Sequence, residues 1–163
     1  MKISKRRQFL SLLGLGSLGL GSFGIGGALS KAQAHHTETH FEDQSAHRLV
    51  YQLNKAEHDY IDHILFSCGE MLRKYGDNIE IVVTVLGPGL HLLAQRPRRA
   101  ISPEQQQRVK SLSDYGVRFQ ACGNTMKGLN WTEKDLLELA EVVPIGVDSI
   151  MQLQEQGFSY FSW

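Results

Sequence analysis

The chain has 163 residues, of which 42% are hydrophobic, so it can bury one core but is too short for two ordinary domains. Its charge is uneven, because residues 1–34 carry five basic residues and no acid, whereas the remainder has 12 Lys and Arg against 17 Asp and Glu. An acidic domain gains nothing from phosphate electrostatics, which excludes nucleic acid as the expected partner. Two cysteines are too few for a disulfide framework.

The first 34 residues show the three parts of a secretory signal. A basic cluster at 5–11 precedes an apolar stretch from Leu12 to Leu29 that contains seven glycines, and the small-residue pattern Ala32-Gln33-Ala34 follows. Arg6-Arg7, with Phe9-Leu10 after them, resemble the twin-arginine signature, and the glycines keep the stretch weakly hydrophobic. We expect cleavage after Ala34 and a periplasmic protein that is not held at the membrane. The alternative is an uncleaved membrane anchor.

Residues 35–47 are charged, contain four histidines and have no apolar periodicity, which predicts a flexible His-rich leader. Metal handling by these histidines is a third, weaker functional hypothesis, and the sequence assigns no metal site because a fixed geometry is lacking. The folded domain is expected to span residues 48–163.

Strands and helices alternate along this domain. Strands are predicted at 49–53, 79–86, 117–121, 141–143 and 158–161, with helices at 56–75, 102–115, from 132 onwards and from 146 to 156. The segment 79–86 is apolar and β-branched, as in a central strand that is covered on both faces. This alternation predicts an α/β fold with a mostly parallel five-stranded sheet and helices on both faces.

Reactive groups in such folds collect at the carboxyl ends of the strands. Gly87-Pro88-Gly89 follows the second strand and Cys122 follows the third, so both are expected at one rim. A cysteine that opens a helical segment lies near unpaired N–H groups, which stabilise a thiolate. Cys122 is therefore the candidate nucleophile. The candidate substrate-binding residues around it are Gly87, Gly89, Gly123, Asn124, Thr125 and Lys127.

Better-defined motifs do not fit this loop. Gly128 stands where a tyrosine-phosphatase cradle needs arginine, and Lys127 stands where a rhodanese-type loop has arginine. No Cys-x-x-Cys pair is present, and the Gly-Pro-Gly turn lacks the Gly-Lys-Ser/Thr of a phosphate-binding loop, so no cofactor is predicted. A single activated thiol remains, which His91 could approach as a base.

Cys68 is predicted to have a different role. It lies on the apolar face of the first helix, about 18 Å from the rim at 1.5 Å per residue, which is too far for a disulfide with Cys122. We expect it to be a small core residue.

Four sequence blocks together resemble a known protein family. They are Gly-Pro-Gly after the second strand, Phe119–Met126, Val143–Val147 and Gln156–Tyr160, and their order and spacing resemble the DsrE/DsrF-like family from Arg48 to the C-terminus. The resemblance implies a three-layer α/β/α fold and assembly into trimers or hexamers. In sulfur-trafficking members the cysteine accepts and passes on sulfane sulfur as a persulfide, a role that would fall on Cys122, with donor and acceptor proteins as partners. Leu86 stands where many relatives carry a polar residue, often histidine.

The sequence supports two principal hypotheses about function. The first is an exported sulfur carrier or sulfurtransferase-like protein, and the second is a non-catalytic module that binds a small anion or a protein. Two features of the sequence are not explained by either hypothesis. Arg96, Arg98 and Arg99 could line an anion entry, and the aromatic residues at 158–163 predict a subunit interface.

Overall fold

The computed structural model describes residues 45–163, so the predicted signal and residues 35–44 of the leader lie outside the described residues. The strands are β1 (His47–Leu53), β2 (Ile79–Val85), β3 (Arg118–Cys122), β4 (Ala140–Val143) and β5 (Ser159–Phe161). The α-helices are α1 (His58–Tyr75), α2 (Pro103–Asp114), α3 (Gly123–Leu129) and α4 (Gly146–Glu155). The strands form one sheet in the order β4-β3-β2-β1-β5, and every neighbouring pair is parallel. The predicted five-stranded α/β fold is confirmed.

The sheet is covered on both faces because its central strands alternate two sets of apolar side chains. Ile81, Val83 and Val85 of β2 belong to the larger core, which also contains buried residues of α1, α2 and α3. Val82 points to the opposite face, where it packs with Val50 and with side chains of α4 in a smaller cluster. Every apolar residue of β2 is thus buried, as the continuous apolar sequence of this strand predicts.

Helix α1 buries the side of its surface that carries Ile61, Ile64, Leu65 and Cys68. Cys68 is fully buried, and this burial raises the pKa of its thiol to about 12. Neither cysteine forms a disulfide. The expectation that Cys68 is a core residue is confirmed.

Helix α2 begins where its capping signal predicts. Ser102 accepts a hydrogen bond from the backbone N–H of Gln105, and the Gln105 side chain accepts one from the Ser102 N–H, which completes a capping box. The side-chain amide of Gln105 also donates hydrogen bonds through Nε2 to the backbone carbonyl oxygen of His58 and to Oδ1 of Asp62, each at 3.1 Å. The cap of α2 therefore also fixes this helix against α1.

The expected helix from Thr132 onwards is wrong. Thr132 and Asp135 do form a capping box, but only one 3-10 turn follows, at Glu133–Asp135. The next two residues pair with a distant segment instead, because Leu136 forms an antiparallel bridge with Ala94 and the Leu137 N–H donates to the carbonyl oxygen of Leu93 at 2.8 Å. Burial of Leu136 in the core favours this pairing over further helix.

The first strand begins slightly earlier than predicted. His47, which the sequence assigned to the leader, is the first residue of β1, and its ring centre lies 4.2 Å from that of Tyr75. None of the helices within residues 45–163 combines the length and the apolar character needed to cross a bilayer.

Candidate functional site

Cys122 is the last residue of β3 and caps the N-terminus of α3. It is aligned with Val143, the last residue of the neighbouring parallel strand β4. The chain after β4 therefore turns at the same rim, and the N-terminus of α4 reaches the sulfur: the Gly146 N–H donates a hydrogen bond to Cys122 Sγ at 3.3 Å. The side chain lies between the starts of two helices that come from adjacent strands.

The surroundings of this sulfur favour the thiolate. Cys122 is only 5% exposed, and burial by itself raises the pKa of the thiol. Hydrogen bonds from the Thr125 hydroxyl and backbone N–H, and from the N–H groups of Gly146 and Asn124, outweigh this effect and bring the pKa below its ordinary value. The donors are neutral, so dipoles stabilise the sulfur's charge. Lys127 is exposed and is not among the groups that lower this pKa.

The Thr125 hydroxyl is oriented by the turn that follows β2. The Gly87 N–H donates to Thr125 Oγ1 at 3.0 Å, so the hydroxyl oxygen is occupied as an acceptor and its hydrogen is available to the sulfur. Gly87 adopts a φ of +54°, which glycine reaches without strain. The structure thus brings together two predicted features, the Gly-Pro-Gly turn and the cysteine loop, with Thr125 between them.

Two glycines allow the backbone to approach the cysteine closely. A Cβ at Gly146 would lie 3.1 Å from Cys122 Cβ and 3.4 Å from Sγ. A Cβ at Gly123 would lie 3.1 Å from the carbonyl oxygens of Val143 and Pro144. A side chain at either position would press against the segments that bring the N–H donors to the sulfur.

Gly89, also predicted to bind substrate, packs tightly against the end of β1. A Cβ at this position would lie 2.5 Å from Leu53 Cδ2 and 2.7 Å from the Leu53 carbonyl oxygen. Only glycine lets the turn after β2 lie directly on the end of β1.

A buried polar network lies on the same face of the sheet as Cys122. Gln120, two residues before the cysteine, accepts hydrogen bonds at Oε1 from Thr84 at 3.1 Å and from Ser149 at 2.6 Å. These contacts tie α4 to β2 and β3, and so fix the helix whose first N–H binds the sulfur. Sequence reasoning missed Gly146, Gln120 and Ser149. Gly146 could have been found from the sequence, because it follows β4 and so lies at the same rim of the sheet as Cys122.

His91 has structural partners rather than a place beside the sulfur. It is 3% exposed, its Nδ1 accepts the Arg98 N–H at 3.0 Å, and its ring meets Trp131 edge to face with the centres 4.9 Å apart. Burial, together with the charges of Arg99 and Arg98, lowers the pKa of His91, so the imidazole is neutral at pH 7. Across residues 45–163, no three side chains of the metal-binding types come together as a ligand set.

The Thr125 contact yields a first prediction. Thr125→Val removes the hydroxyl donor and keeps the shape of the side chain, so we expect a higher pKa for the Cys122 thiol. A hydrogen bond to a charged group contributes about 1.5 to 3 kcal/mol, so alkylation by iodoacetamide at neutral pH should slow by about tenfold or more. The pH dependence of the alkylation rate measures both quantities.

Thr125→Ser is the matched control, since it keeps the hydroxyl and should retain most of the reactivity. A Thr125→Val protein whose thiol titrates as in the parent would show that the hydroxyl does not stabilise the thiolate. Because this variant leaves the Gly87 N–H without its acceptor, thermal melting should accompany the kinetics.

Comparison with known proteins supports the fold described above. The model of the DsrE/DsrF-like family matches residues 37–163. A protein of unknown function, MTH1491 from Methanobacterium thermoautotrophicum, has a similar structure, with a TM-score of 0.65 and 24% identity over 72% of this chain and 99% of that one. The ychN protein from E. coli is similar with a TM-score of 0.59 and 13% identity, at the same coverage. A comparison with curated proteins gives no significant match.

Proposed function

The chain belongs to the DsrE/DsrF-like family, and we propose that it is an exported sulfur carrier or sulfurtransferase-like protein that accepts sulfane sulfur on Cys122 as a persulfide. The observation that carries this proposal is the set of hydrogen-bond donors around Cys122 Sγ. Thr125, Gly146 and Asn124 lower the pKa of a thiol that burial alone would make less acidic. A thiolate is the nucleophilic form of cysteine, so this environment supports attack on sulfur.

The proposed step is balanced without an external oxidant. The Cys122 thiolate attacks the outer sulfur of a donor such as a polysulfide, and a new S–S bond forms at Cys122 as the donor's own S–S bond breaks. The electron pair of the broken bond leaves with the shortened donor. Transfer to an acceptor thiolate is the same exchange in the opposite sense, and it regenerates the Cys122 thiolate.

Attack by the thiolate form needs no general base, and the hydrogen-bond donors around Sγ favour that form. The proposal is therefore compatible with Leu86, which stands where the resemblance implies a polar residue in many relatives. It is also compatible with His91, whose partners are Arg98 and Trp131. The N–H donors that hold the thiolate also suit transfer to an acceptor, because the Cys122 thiolate is the group that leaves when the outer sulfur moves to the acceptor. The small exposed area of Cys122 limits direct attack to small donors or to a slender partner group.

Export and assembly belong to the same proposal. A twin-arginine route would deliver the folded domain to the periplasm, and the residues of the signal lie outside the described part of the chain. Exposed aromatic side chains at the C-terminus, namely Tyr160, Phe161 and Trp163, support assembly into a trimer or hexamer.

A loading measurement tests the proposal. The purified protein is reduced, exposed briefly to inorganic polysulfide, freed of excess reagent and weighed by intact-protein mass spectrometry. We expect a gain of sulfur that a reductant removes, and peptide mapping should place it on the peptide that contains Cys122. A protein that gains no sulfur, or gains it only at Cys68, contradicts the proposal.

The second candidate is a non-catalytic module that binds a small anion or a protein. The near-complete burial of Cys122 favours it, because access to the sulfur is narrow. A folded protein whose Cys122 stays unmodified by polysulfide would support this candidate over the sulfur carrier.

A further inference from the structure

A cavity of about 520 Å³ lies between the loop that follows the Gly-Pro-Gly turn and the segment after α3. Its lining includes Gln95, Arg96, Arg98, Trp131, Lys134 and Asp135. None of these residues belongs to the set that contacts Cys122 Sγ. The volume falls within the range of sites that hold small molecules.

The charges around the cavity are strongly unequal. Arg96, Arg98 and Lys134 face one acid, Asp135, which is already engaged, since its Oδ2 accepts the Thr132 N–H at 2.8 Å and the Thr132 hydroxyl at 3.0 Å. Within the part of the chain that the structure describes, the side chains of Arg96 and Lys134 form no hydrogen bond and no salt bridge, although the charge of Arg96 helps to lower the pKa of the Asp135 carboxyl. Three cations therefore line the cavity with a single carboxylate, and two of them have no hydrogen-bonded partner, in a domain whose overall charge is negative.

The two walls are joined to each other before any ligand arrives. The Gln95 N–H donates to the Asp135 carbonyl oxygen at 2.8 Å, and the Gln95 side chain donates to the Leu136 carbonyl oxygen at 3.0 Å. The bridge between Ala94 and Leu136 continues this pairing. A cavity with walls fixed in this way loses little entropy on binding.

Arg98 is the cation of the set that has defined partners. Its guanidinium lies 5.5 Å from the centre of the Trp131 ring, one Nη lies 3.5 Å from the Leu129 carbonyl oxygen, and its backbone N–H binds His91. An arginine stacked on an indole presents a flat edge of donors that matches carboxylate and phosphate oxygens. Trp131 is itself buried and supported by His91.

We propose that this cavity binds a small molecule that carries at least two anionic oxygen groups, carboxylate or phosphate, with Arg98 holding one group and Arg96 and Lys134 the other. The site is separate from Cys122 and does not depend on sulfur chemistry there. A concave site with convergent cations suits a compact ligand better than the flat surface of a protein. The proposal gives a role to two of the three arginines that the sequence singled out at 96–99.

Tryptophan fluorescence tests the proposal, because the chain has only two tryptophans and one of them lines the cavity. In full-length protein that carries Trp163→Phe, pyrophosphate and citrate are titrated separately at constant ionic strength, and Trp131 emission is followed. We expect a saturable change with at least one of the two anions. The response to each probe distinguishes phosphate from carboxylate chemistry.

The double variant Arg96→Gln, Lys134→Gln should weaken this binding by about tenfold or more, since it removes two of the three cations that line the cavity. Lys110→Gln, which removes an exposed charge of α2 that does not line this cavity, is the matched control and should bind as the parent does. No saturable response to either anion, or a response of equal affinity in the double variant, overturns the proposal. Thermal melting of the double variant confirms that a loss of binding is not a loss of fold.

Discussion

Cys122→Ser is expected to abolish sulfur loading by polysulfide completely. A serine hydroxyl is not ionised at neutral pH and has no sulfur on which a persulfide can form. The substitution should preserve the fold, because the serine oxygen can accept the hydrogen bonds that Gly146 and Thr125 donate to the sulfur. Intact-protein mass spectrometry after polysulfide treatment, with cyanide release of the loaded sulfur as a second readout, measures the loss.

Cys68→Ala is the matched control. Cys68 is fully buried and has a thiol pKa of about 12, so hardly any thiolate exists at neutral pH and loading should equal that of the parent. If Cys122→Ser still gains sulfur, or if loading disappears with Cys68→Ala in a folded protein, then Cys122 is not the acceptor. The two variants therefore separate a specific site from general thiol chemistry.

Gly89→Ala is expected to destabilise the protein by about 3 kcal/mol, at the upper end of the usual cost of overpacking. The added methyl group would lie 2.7 Å from the backbone carbonyl oxygen of Leu53, and a backbone atom cannot rotate away as the end of a side chain can. The turn after β2 would have to move away from the end of β1. Urea unfolding, followed by circular dichroism, measures the change in the free energy of unfolding.

Gly69→Ala provides the matched comparison for this effect. Gly69 lies within α1 with nothing inside 4 Å of an added Cβ, so the change should stabilise the protein by about 0.5 to 1 kcal/mol through helix propensity. A Gly89→Ala protein as stable as the parent would mean that the turn can shift without cost. Because both variants add one methyl group, a difference larger than the contribution of helix propensity reports on packing at Gly89.

The hydrogen bonds that favour the Cys122 thiolate are assembled only in the folded chain. Its donors come from the start of α3 and from the start of α4, and the Thr125 hydroxyl is oriented by a turn that follows β2. A route that exports folded proteins suits such a site. Within the proposed function, the persulfide also has no second reactive thiol in the domain, since Cys68 is enclosed by the core.

Local sequence patterns determined the architecture and the identity of the candidate nucleophile. A β-branched apolar run at β2 and an apolar face along α1 are short-range signals, and their alternation leaves few folds open. The same patterns separated the two cysteines, because Cys68 lies on the buried face of a helix and Cys122 follows a strand. Each of these conclusions depends on residues that are close in sequence, within one strand or helix or in the segment next to it.

The tertiary structure decided which distant segments contact one another, and no local sequence pattern contains this information. The alignment of Cys122 with Val143 brings Gly146 to the sulfur from 24 residues away, and that pairing depends on the order of β3 and β4 in the sheet. Likewise, Thr132 caps a turn as its sequence predicts, but pairing of Leu136 with Ala94 stops the helix after that turn. In both cases contacts between distant segments, supported by burial, outweigh the preferences of the local sequence, and in the first case they bring to Cys122 a hydrogen bond that favours the thiolate form.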